Sequence, residues 1–128
     1  MIRLASVPGT YSIFRYAPDT AVTLPTSRCE LFAVTRTSDE LSIVCESSIA
    51  PAGYSESNQD WRCFKVEGTL DFSLTGILSS IATPLAAAKI SIFAVSTFDT
   101  DYILVKAESY PQTLHTLKMA GFEFITGI

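Results

Sequence analysis

The chain contains few of the residues on which metal binding and covalent catalysis depend. It has a single histidine, His115, and three cysteines that lie far apart, Cys29, Cys45 and Cys63. No CxxC pair and no Cys/His pair at metal-ligand spacing occurs, so we expect no metal site. An odd number of scattered cysteines fits reduced, buried thiols better than a disulfide framework.

Charged residues are also scarce. They make up 17% of the 128 residues, whereas hydrophobic residues make up 48%, which is typical of one compact body or two very small domains that share a core. The formal net charge is −4, and an acidic surface repels phosphate backbones, so we expect no nucleic-acid partner. Phosphate-loop and dinucleotide-binding motifs are absent from the sequence, and we expect no cofactor.

No run approaches the roughly 18 apolar residues that a membrane-spanning helix needs. The most apolar region, residues 74–95, is interrupted by threonine, serine, Pro84 and Lys89. Met1–Ser6 has one arginine and lacks the apolar core of a signal peptide. These features predict a soluble, cytoplasmic protein without a membrane partner.

The second half of the chain alternates between the two-residue period of strands and the 3.6-residue period of helices. Four segments have strand-like patterns: Arg62–Leu70, Ile90–Thr97, Tyr102–Lys106 and Phe122–Ile125. Two segments carry apolar residues at helical spacing: Leu74–Ala88 and Thr113–Ala120. The resulting βαββαβ order predicts an α+β, ferredoxin-like fold, with a four-stranded antiparallel sheet from Arg62 onward and both helices on one face.

Local signals mark where these helices begin and end. Ser73 is a candidate cap of the first helix, and Pro84 should bend or end that helix near Thr83. Ser109–Gln112 has the spacing of a capping box that opens the second helix, which Gly121 closes.

Residues 1–60 follow a weaker version of the same plan. Gly9–Tyr16 alternates like a strand, and Glu30–Thr37 and Glu40–Cys45 flank a polar turn like the strands of a hairpin. Pro18–Pro25 is too short for a full helix, and Ile49–Gln59 has the composition of a loop. We therefore expect two related half-units, a degenerate one at 1–60 and a complete one at 61–128.

The run from Val66 to Val105 resembles an ACT domain. Three pieces carry the resemblance: Asp71–Ile77 (DFSLTGI), Ile90–Thr97 (ISIFAVST) and Thr100–Val105 (TDYILV). The chain is similar to the branch of small stand-alone proteins with two ACT-like repeats, related to the cytosolic arginine sensors and to the aspartate kinase regulatory domain. The resemblance implies a regulatory module that binds an amino acid, has no catalysis of its own and pairs edge to edge with another ACT unit.

A ligand site is predicted between one turn and one strand end. A helix N-terminus offers unpaired N–H groups that favour a carboxylate, and Gly76 leaves room for a ligand. Asp99 or nearby carbonyl groups could hold an ammonium group. The alternative is that these residues only cap a helix and form a solvated turn. The predicted ligand-binding residues are Asp71, Phe72, Ser73, Leu74, Thr75, Gly76, Ser96, Thr97 and Asp99.

Three functions stay open at this point. The first is an amino-acid sensor, expected to be a homodimer because Tyr102–Val105 is apolar on both faces of its strand. The second is an interaction module without a ligand that regulates a partner enzyme in trans. The third is a small enzyme that uses Cys45 or Cys63 as nucleophile, although no histidine lies near either in sequence. His115 is expected to be structural.

Overall fold

The computed structural model describes residues 2–67 and 76–125. Within these ranges, seven strands and two α-helices follow one another along the chain, and a short 3₁₀ turn follows both β3 and β6, at Ser47–Ile49 and Ala107–Ser109. The elements are β1 (Arg3–Tyr16), β2 (Phe32–Arg36), β3 (Leu41–Glu46), β4 (Glu56–Val66), α1 (Ile77–Ala87), β5 (Ile92–Ser96), β6 (Asp101–Lys106), α2 (Tyr110–Met119) and β7 (Glu123–Phe124).

The chain divides into two compact units. The first, here called the helical unit, consists of Met1–Pro8 and Arg62–Ile128, and the second, the short unit, consists of Gly9–Trp61. Strands β1 and β4 each contribute residues to both units, because the unit boundaries fall inside them.

The helical unit has the predicted α+β, ferredoxin-like architecture, with a largely antiparallel sheet and both helices on one face. Its core joins alternate residues of the strands to the inner faces of α1 and α2. The fully buried members include Phe64 and Ile103 from the sheet, Ile81 and Leu85 from α1, and Leu117 from α2.

The strand order of the helical unit differs from the prediction in one respect. The strand next to β4 is the first part of β1, and β7 lies beyond it, so the order is β7–β1–β4–β6–β5. The β1–β7 pair is parallel, with Arg3 opposite Glu123. The prediction of four antiparallel strands from Arg62 onward is therefore wrong in this detail, because residues distant in sequence fill the place beside β4 and the two-residue β7 pairs with them.

Helix α1 passes through Pro84 and ends at Ala87. Pro84 lacks one N–H, but its own carbonyl still accepts a hydrogen bond from Ala88 N at 3.1 Å. The burial of Ile81 and Leu85 on either side of the proline keeps this segment packed on the sheet. Of the two outcomes expected at Pro84, a bend or an end of the helix near Thr83, the end is wrong, and the predicted cap Ser73 lies outside the described residues.

Helix α2 begins without the predicted capping box. Ser109 precedes the helix, but its backbone is already helical and its side chain makes no capping hydrogen bond. The 3₁₀ turn Ala107–Ser109 leads directly into α2 and leaves no extended residue to act as a cap. The prediction that Gly121 closes α2 is confirmed, because Gly121 has φ +101° and Phe122 N donates to Leu117 O at 3.0 Å.

The short unit has the strand order β2–β3–β1–β4. Its core is formed by Phe14, Tyr16, Leu41, Ile43 and Cys45, against which Val22, Phe32 and Ala50 pack. Residues 17–31, all of which the structure describes, contain no helix, as the sequence predicts for Pro18–Pro25. Arg36 fastens this connection to β2, because its guanidinium donates to the carbonyls of Pro18 and, at 2.8 Å, of Thr20.

Candidate functional site

The turn between β5 and β6 forms one side of the predicted site. Thr97 N donates to Thr100 O at 2.8 Å, and the Thr97 hydroxyl also lies 3.1 Å from that oxygen. Thr100 N in turn donates to Thr97 Oγ1 at 3.2 Å. The turn is therefore closed at its base by the side chain and the backbone of Thr97, which leaves Phe98 and Asp99 at the exposed tip.

Thr100 joins this turn to the end of β4. Its side chain is buried, with 7% of its surface exposed, and Thr100 Oγ1 donates to Val66 O at 2.8 Å. Val66 is the last residue of β4. Sequence reasoning missed Thr100, although a threonine at the start of a strand was a usable signal.

Ser96 and Thr97 hold the hairpin together through their side chains. Ser96 lies opposite Asp101 in the β5–β6 register, and its hydroxyl donates to Asp101 Oδ1 at 2.6 Å. Asp99 is exposed and makes no ion pair with the residues that the structure describes. Of the three predicted ligand residues in this hairpin, Asp99 is therefore the one with a carboxylate open to a ligand.

Gly76 occupies the N-cap position of α1 with φ +80° and ψ 2°. Its carbonyl accepts a hydrogen bond from Ser80 N at 2.8 Å. A Cβ atom built on Gly76 would have no heavy atom of residues 2–67 and 76–125 within 4 Å, so these residues leave the space beside it open. Because the backbone is left-handed here, any side chain at position 76 introduces strain, so a substitution of Gly76 costs stability as well as space for a ligand.

The remaining predicted ligand residues lie outside the part of the chain that the structure describes: Asp71, Phe72, Ser73, Leu74 and Thr75. What the structure places together is the Thr97–Thr100 turn and the end of β4, from which those residues follow. The ligand site as a whole stays a prediction.

The cysteines divide into two classes. Cys45 and Cys63 are completely buried, as expected. The expectation of a buried thiol is wrong for Cys29, which is exposed in the helix-free connection before β2. Burial raises the pKa of the Cys45 thiol to about 11, and the Cys29 thiol and the Glu46 carboxyl act in the same direction. Since the thiolate is the nucleophilic form, the geometry gives no support to catalysis by Cys45.

A second polar cluster, which sequence reasoning did not identify, lies at the start of α2. The Arg62 guanidinium stacks over the Tyr110 ring, 4.4 Å from its centroid, and the Tyr110 hydroxyl is hydrogen-bonded to Ser6 Oγ. Burial raises the pKa of the Tyr110 hydroxyl, while the Ser6 hydrogen bond and the Arg62 charge partly offset this. His115, on the same helix, is exposed, consistent with a structural role.

Neither a cluster of metal ligands nor a membrane-spanning helix is found among the described residues. Among them, no three histidine, cysteine or acidic side chains are arranged to hold a metal ion. None of the helices in residues 2–67 and 76–125 is long and apolar enough to cross a membrane.

Comparison with known proteins gives matches of two kinds. The family model described as the ACT domain matches residues 56–119. The human protein named cytosolic arginine sensor for mTORC1 subunit 1 is 38% identical over 65 residues, which is 50% of this chain and 20% of that protein. The chain spans between 20% and 63% of the length of the curated relatives that it matches.

Two solved structures extend the likeness over nearly the whole chain. Protein Atu0741 of Agobacterium tumefaciens has a TM-score of 0.88 and 35% sequence identity, with 99% of this chain and 94% of that one covered. The ligand-free regulatory subunit of aspartate kinase from Thermus thermophilus has a TM-score of 0.66 at 11% identity, with 92% of this chain and 96% of that one covered. The second likeness shows the shared fold only.

Proposed function

This chain belongs to the ACT domain family, and we propose that it is an amino-acid-binding sensor module of the cytoplasm with no catalytic activity of its own. Two proteins to which the chain is similar have regulatory names: one is named an arginine sensor and the other the regulatory subunit of aspartate kinase. The effector class and the mode of action proposed here go beyond that family membership.

The observation that carries the proposal is the hydrogen bond from Thr100 to Val66 O. It fixes the exposed Asp99 turn to the strand end from which the chain leads to Gly76 and α1. An amino acid needs an acceptor for its ammonium group and donors for its carboxylate, and these two elements offer both kinds.

In the proposed complex, the effector carboxylate lies at the N-terminus of α1. The first N–H groups of a helix have no partner within the helix, and the helix dipole favours negative charge there. The open space beside Gly76 admits the ligand, and the Asp99 carboxylate accepts hydrogen bonds from the ammonium group. Asp71 to Thr75 contribute the rest of the turn, while Ser96 and Thr97 shape the strand end.

Signalling requires that the effector bind one arrangement of the protein more tightly than another. We propose that this occurs in a homodimer of chains, each of which carries two ACT-like repeats with boundaries near residue 60. In support, the short unit has the order β2–β3–β1–β4 and the helical unit contains the corresponding order β5–β6–β4–β1. Strand β5 ends the order of its unit, which leaves it at the edge where a second chain could pair.

A thermal-stability screen of the full chain against the twenty amino acids tests the proposal. An effector present at one hundred times its dissociation constant adds about 2.7 kcal/mol to the free energy of unfolding. A rise in the melting temperature with one or a few amino acids supports a sensor. No shift with any of them at millimolar concentration contradicts it.

The second candidate, an interaction module without a ligand, is favoured by the terminal position of β5. Under that hypothesis the edge strand pairs with another subunit and no amino acid changes the stability. Light scattering tests the homodimer independently of the ligand. A monomer at all accessible concentrations would rule out the homodimer, whereas effector binding is tested by the thermal-stability screen.

A further inference from the structure

A cavity of about 220 Å³ lies in the short unit, where β1 ends and β3 and β4 begin. Its volume equals that of about seven liquid water molecules, which is below the range of drug-sized pockets. Among the lining residues, Ile13 has a half-buried apolar side chain, whereas the Phe14 side chain is buried in the core and the remaining residues are polar or charged. A cavity of this size and composition suits a small molecule with a short hydrocarbon chain.

The wall formed by the start of β4 is fixed to β1. Ser55 donates to Arg15 O twice, from its backbone N at 2.8 Å and from its hydroxyl at 3.1 Å. The neighbouring Tyr54 ring lies 4.9 Å from the Phe14 ring. Glu56 and Ser57, which follow directly, are therefore presented to the cavity from an anchored segment.

Two further hydrogen bonds hold polar side chains of this wall. Gln59 Nε2 donates to Ser57 Oγ at 3.0 Å, and Trp61 Nε1 donates to Asn58 Oδ1 at 3.2 Å. Trp61 itself is buried, so the Asn58 side chain is held from the interior. These two hydrogen bonds restrict the side chains of Ser57 and Asn58 in the cavity wall.

The charges around the cavity are unequal. Arg15 donates to Asp39 O at 3.2 Å, and its Nε lies 3.9 Å from Glu40 Oε1, which is a long contact for an ion pair. Glu56 is exposed and has no ion-pair partner among the residues that the structure describes. The cavity therefore carries one carboxylate more than its single guanidinium can balance.

We propose that this cavity binds a small aliphatic molecule that carries a protonated amine. Glu56 and Glu40 accept hydrogen bonds from the ammonium group, and the hydrocarbon chain packs on Ile13. Charge-assisted hydrogen bonds of this kind are stronger than neutral ones, and the excess carboxylate disfavours anionic molecules of the same size. The inference uses residues of the short unit alone and does not depend on the proposed effector site beside Gly76.

The test is a titration of the ¹⁵N-labelled full chain with 1,4-diaminobutane, followed by the amide NMR signals. We expect saturable shifts at Ser42, Ser57 and Asn58, and no saturable shift with succinate, which has the same chain length and the opposite charge. Absence of saturable shifts with the diamine, or equal shifts with succinate, overturns the proposal.

Two pairs of variants sharpen the result. Glu56→Gln should raise the dissociation constant about tenfold or more, whereas Glu108→Gln in the helical unit, with the same change of net charge, should leave it unchanged. Arg15→Gln should tighten binding because it releases the Glu40 carboxylate, whereas Lys118→Gln should not. Equal effects of Glu56→Gln and Glu108→Gln, or weaker binding by Arg15→Gln with an unchanged melting temperature, would refute the assignment.

Discussion

The two β-hairpins of the chain have the same local design and different surroundings. In each, a five-residue strand, β2 or β5, is followed by a six-residue strand and then by one 3₁₀ turn. Thr37 and Thr97 close the two turns in the same way, each donating from its backbone N to the carbonyl three residues later. The inner strands also match, because Ile43 to Cys45 and Ile103 to Val105 are all buried.

The difference begins immediately after each turn. Glu40 ends the first turn and reaches Arg15 through an exposed ion pair, whereas Thr100 ends the second and donates from a buried hydroxyl to Val66 O. The first hairpin is covered by a connection without a helix, and the second by α1 and α2. Local sequence thus determines the hairpin, and the residues outside it determine how firmly it is held.

The largest expected change in the free energy of unfolding comes from the layers that cover the two hairpins. Ile81→Ala in α1 should lower the free energy of unfolding by about 2–5 kcal/mol, because Ile81 is fully buried in the core. Val22→Ala, in the connection that covers the short unit, should cost less because that side chain is only partly buried. Urea denaturation measures both changes. Equal losses of unfolding free energy would show that α1 and the helix-free connection stabilise their units equally.

Alkaline pH should affect the short unit first. Because burial raises the pKa of Cys45 from 9 to about 11, the unfolded thiol loses its proton at lower pH than the folded one. The stability contributed by the neutral thiol is complete below pH 9 and is lost as pH rises to about 11, a loss of about 2–3 kcal/mol. Urea denaturation between pH 8 and pH 10 checks this, and Cys45→Ala should flatten the slope. The pKa of Tyr110 in the helical unit is also raised, so that residue contributes only at higher pH.

The residue that ends each turn offers a direct contrast. Thr100→Val leaves Val66 O without this buried donor and should cost about 1–2 kcal/mol of unfolding free energy. Glu40→Gln removes only an exposed ion pair and should cost about 0.5 kcal/mol or less. If thermal or urea denaturation shows the same loss of unfolding free energy for both variants, the buried Thr100 hydrogen bond stabilises the protein no more than the exposed ion pair does.

The aspartates at the turn tips, Asp39 and Asp99, test the effector site. Asp99→Asn should weaken binding of an effector identified by the screen by about 1–3 kcal/mol, since it removes a charged acceptor for the ammonium group. Asp39→Asn is the matched control in the other hairpin and should leave binding unchanged. Calorimetry measures both, and a wild-type affinity for Asp99→Asn places the ammonium contact elsewhere.

The smallest expected effect separates backbone strain from ligand access. Gly76 and Gly53 both have positive φ and open space beside them, so Gly76→Ala and Gly53→Ala should each cost about 1 kcal/mol of stability. Only Gly76→Ala should also reduce the stabilisation by the effector, because only Gly76 lies at the proposed site. Melting curves with and without effector distinguish the two, and an undiminished shift for Gly76→Ala would move the site away from α1.

The sequence predicted those parts of the fold that local signals specify. The hairpins, both helices and the end of α2 at Gly121 follow from patterns within a few residues. The partner of β4 could not be predicted in this way, because Arg3–Pro8 and the part of β4 in the same unit, from Arg62 onward, are more than fifty residues apart in sequence. The start of α2 differs because the 3₁₀ turn before Ser109 competes with the capping box, a choice that propensities alone do not decide.

The candidate site was predictable to a similar degree. The exposed carboxylate of Asp99 and the glycine at position 76 carry recognisable turn signals. The Thr100 hydrogen bond to Val66 O requires two residues that are separated by β5 and α1 to meet, and no local pattern reports it. The cavity near Glu56 is assembled from three strands in the same way.

The position of β1 also sets the order in which the chain can mature during synthesis. Arg3 pairs with Glu123, which is 120 positions further along, and Glu67 N donates to Arg3 O. The start of β1 therefore receives its last neighbours only after β7 has been synthesised, whereas the β2–β3 hairpin can form much earlier. Contacts this distant in sequence slow folding. The nascent chain thus has to keep the start of β1 available until β7 has been synthesised.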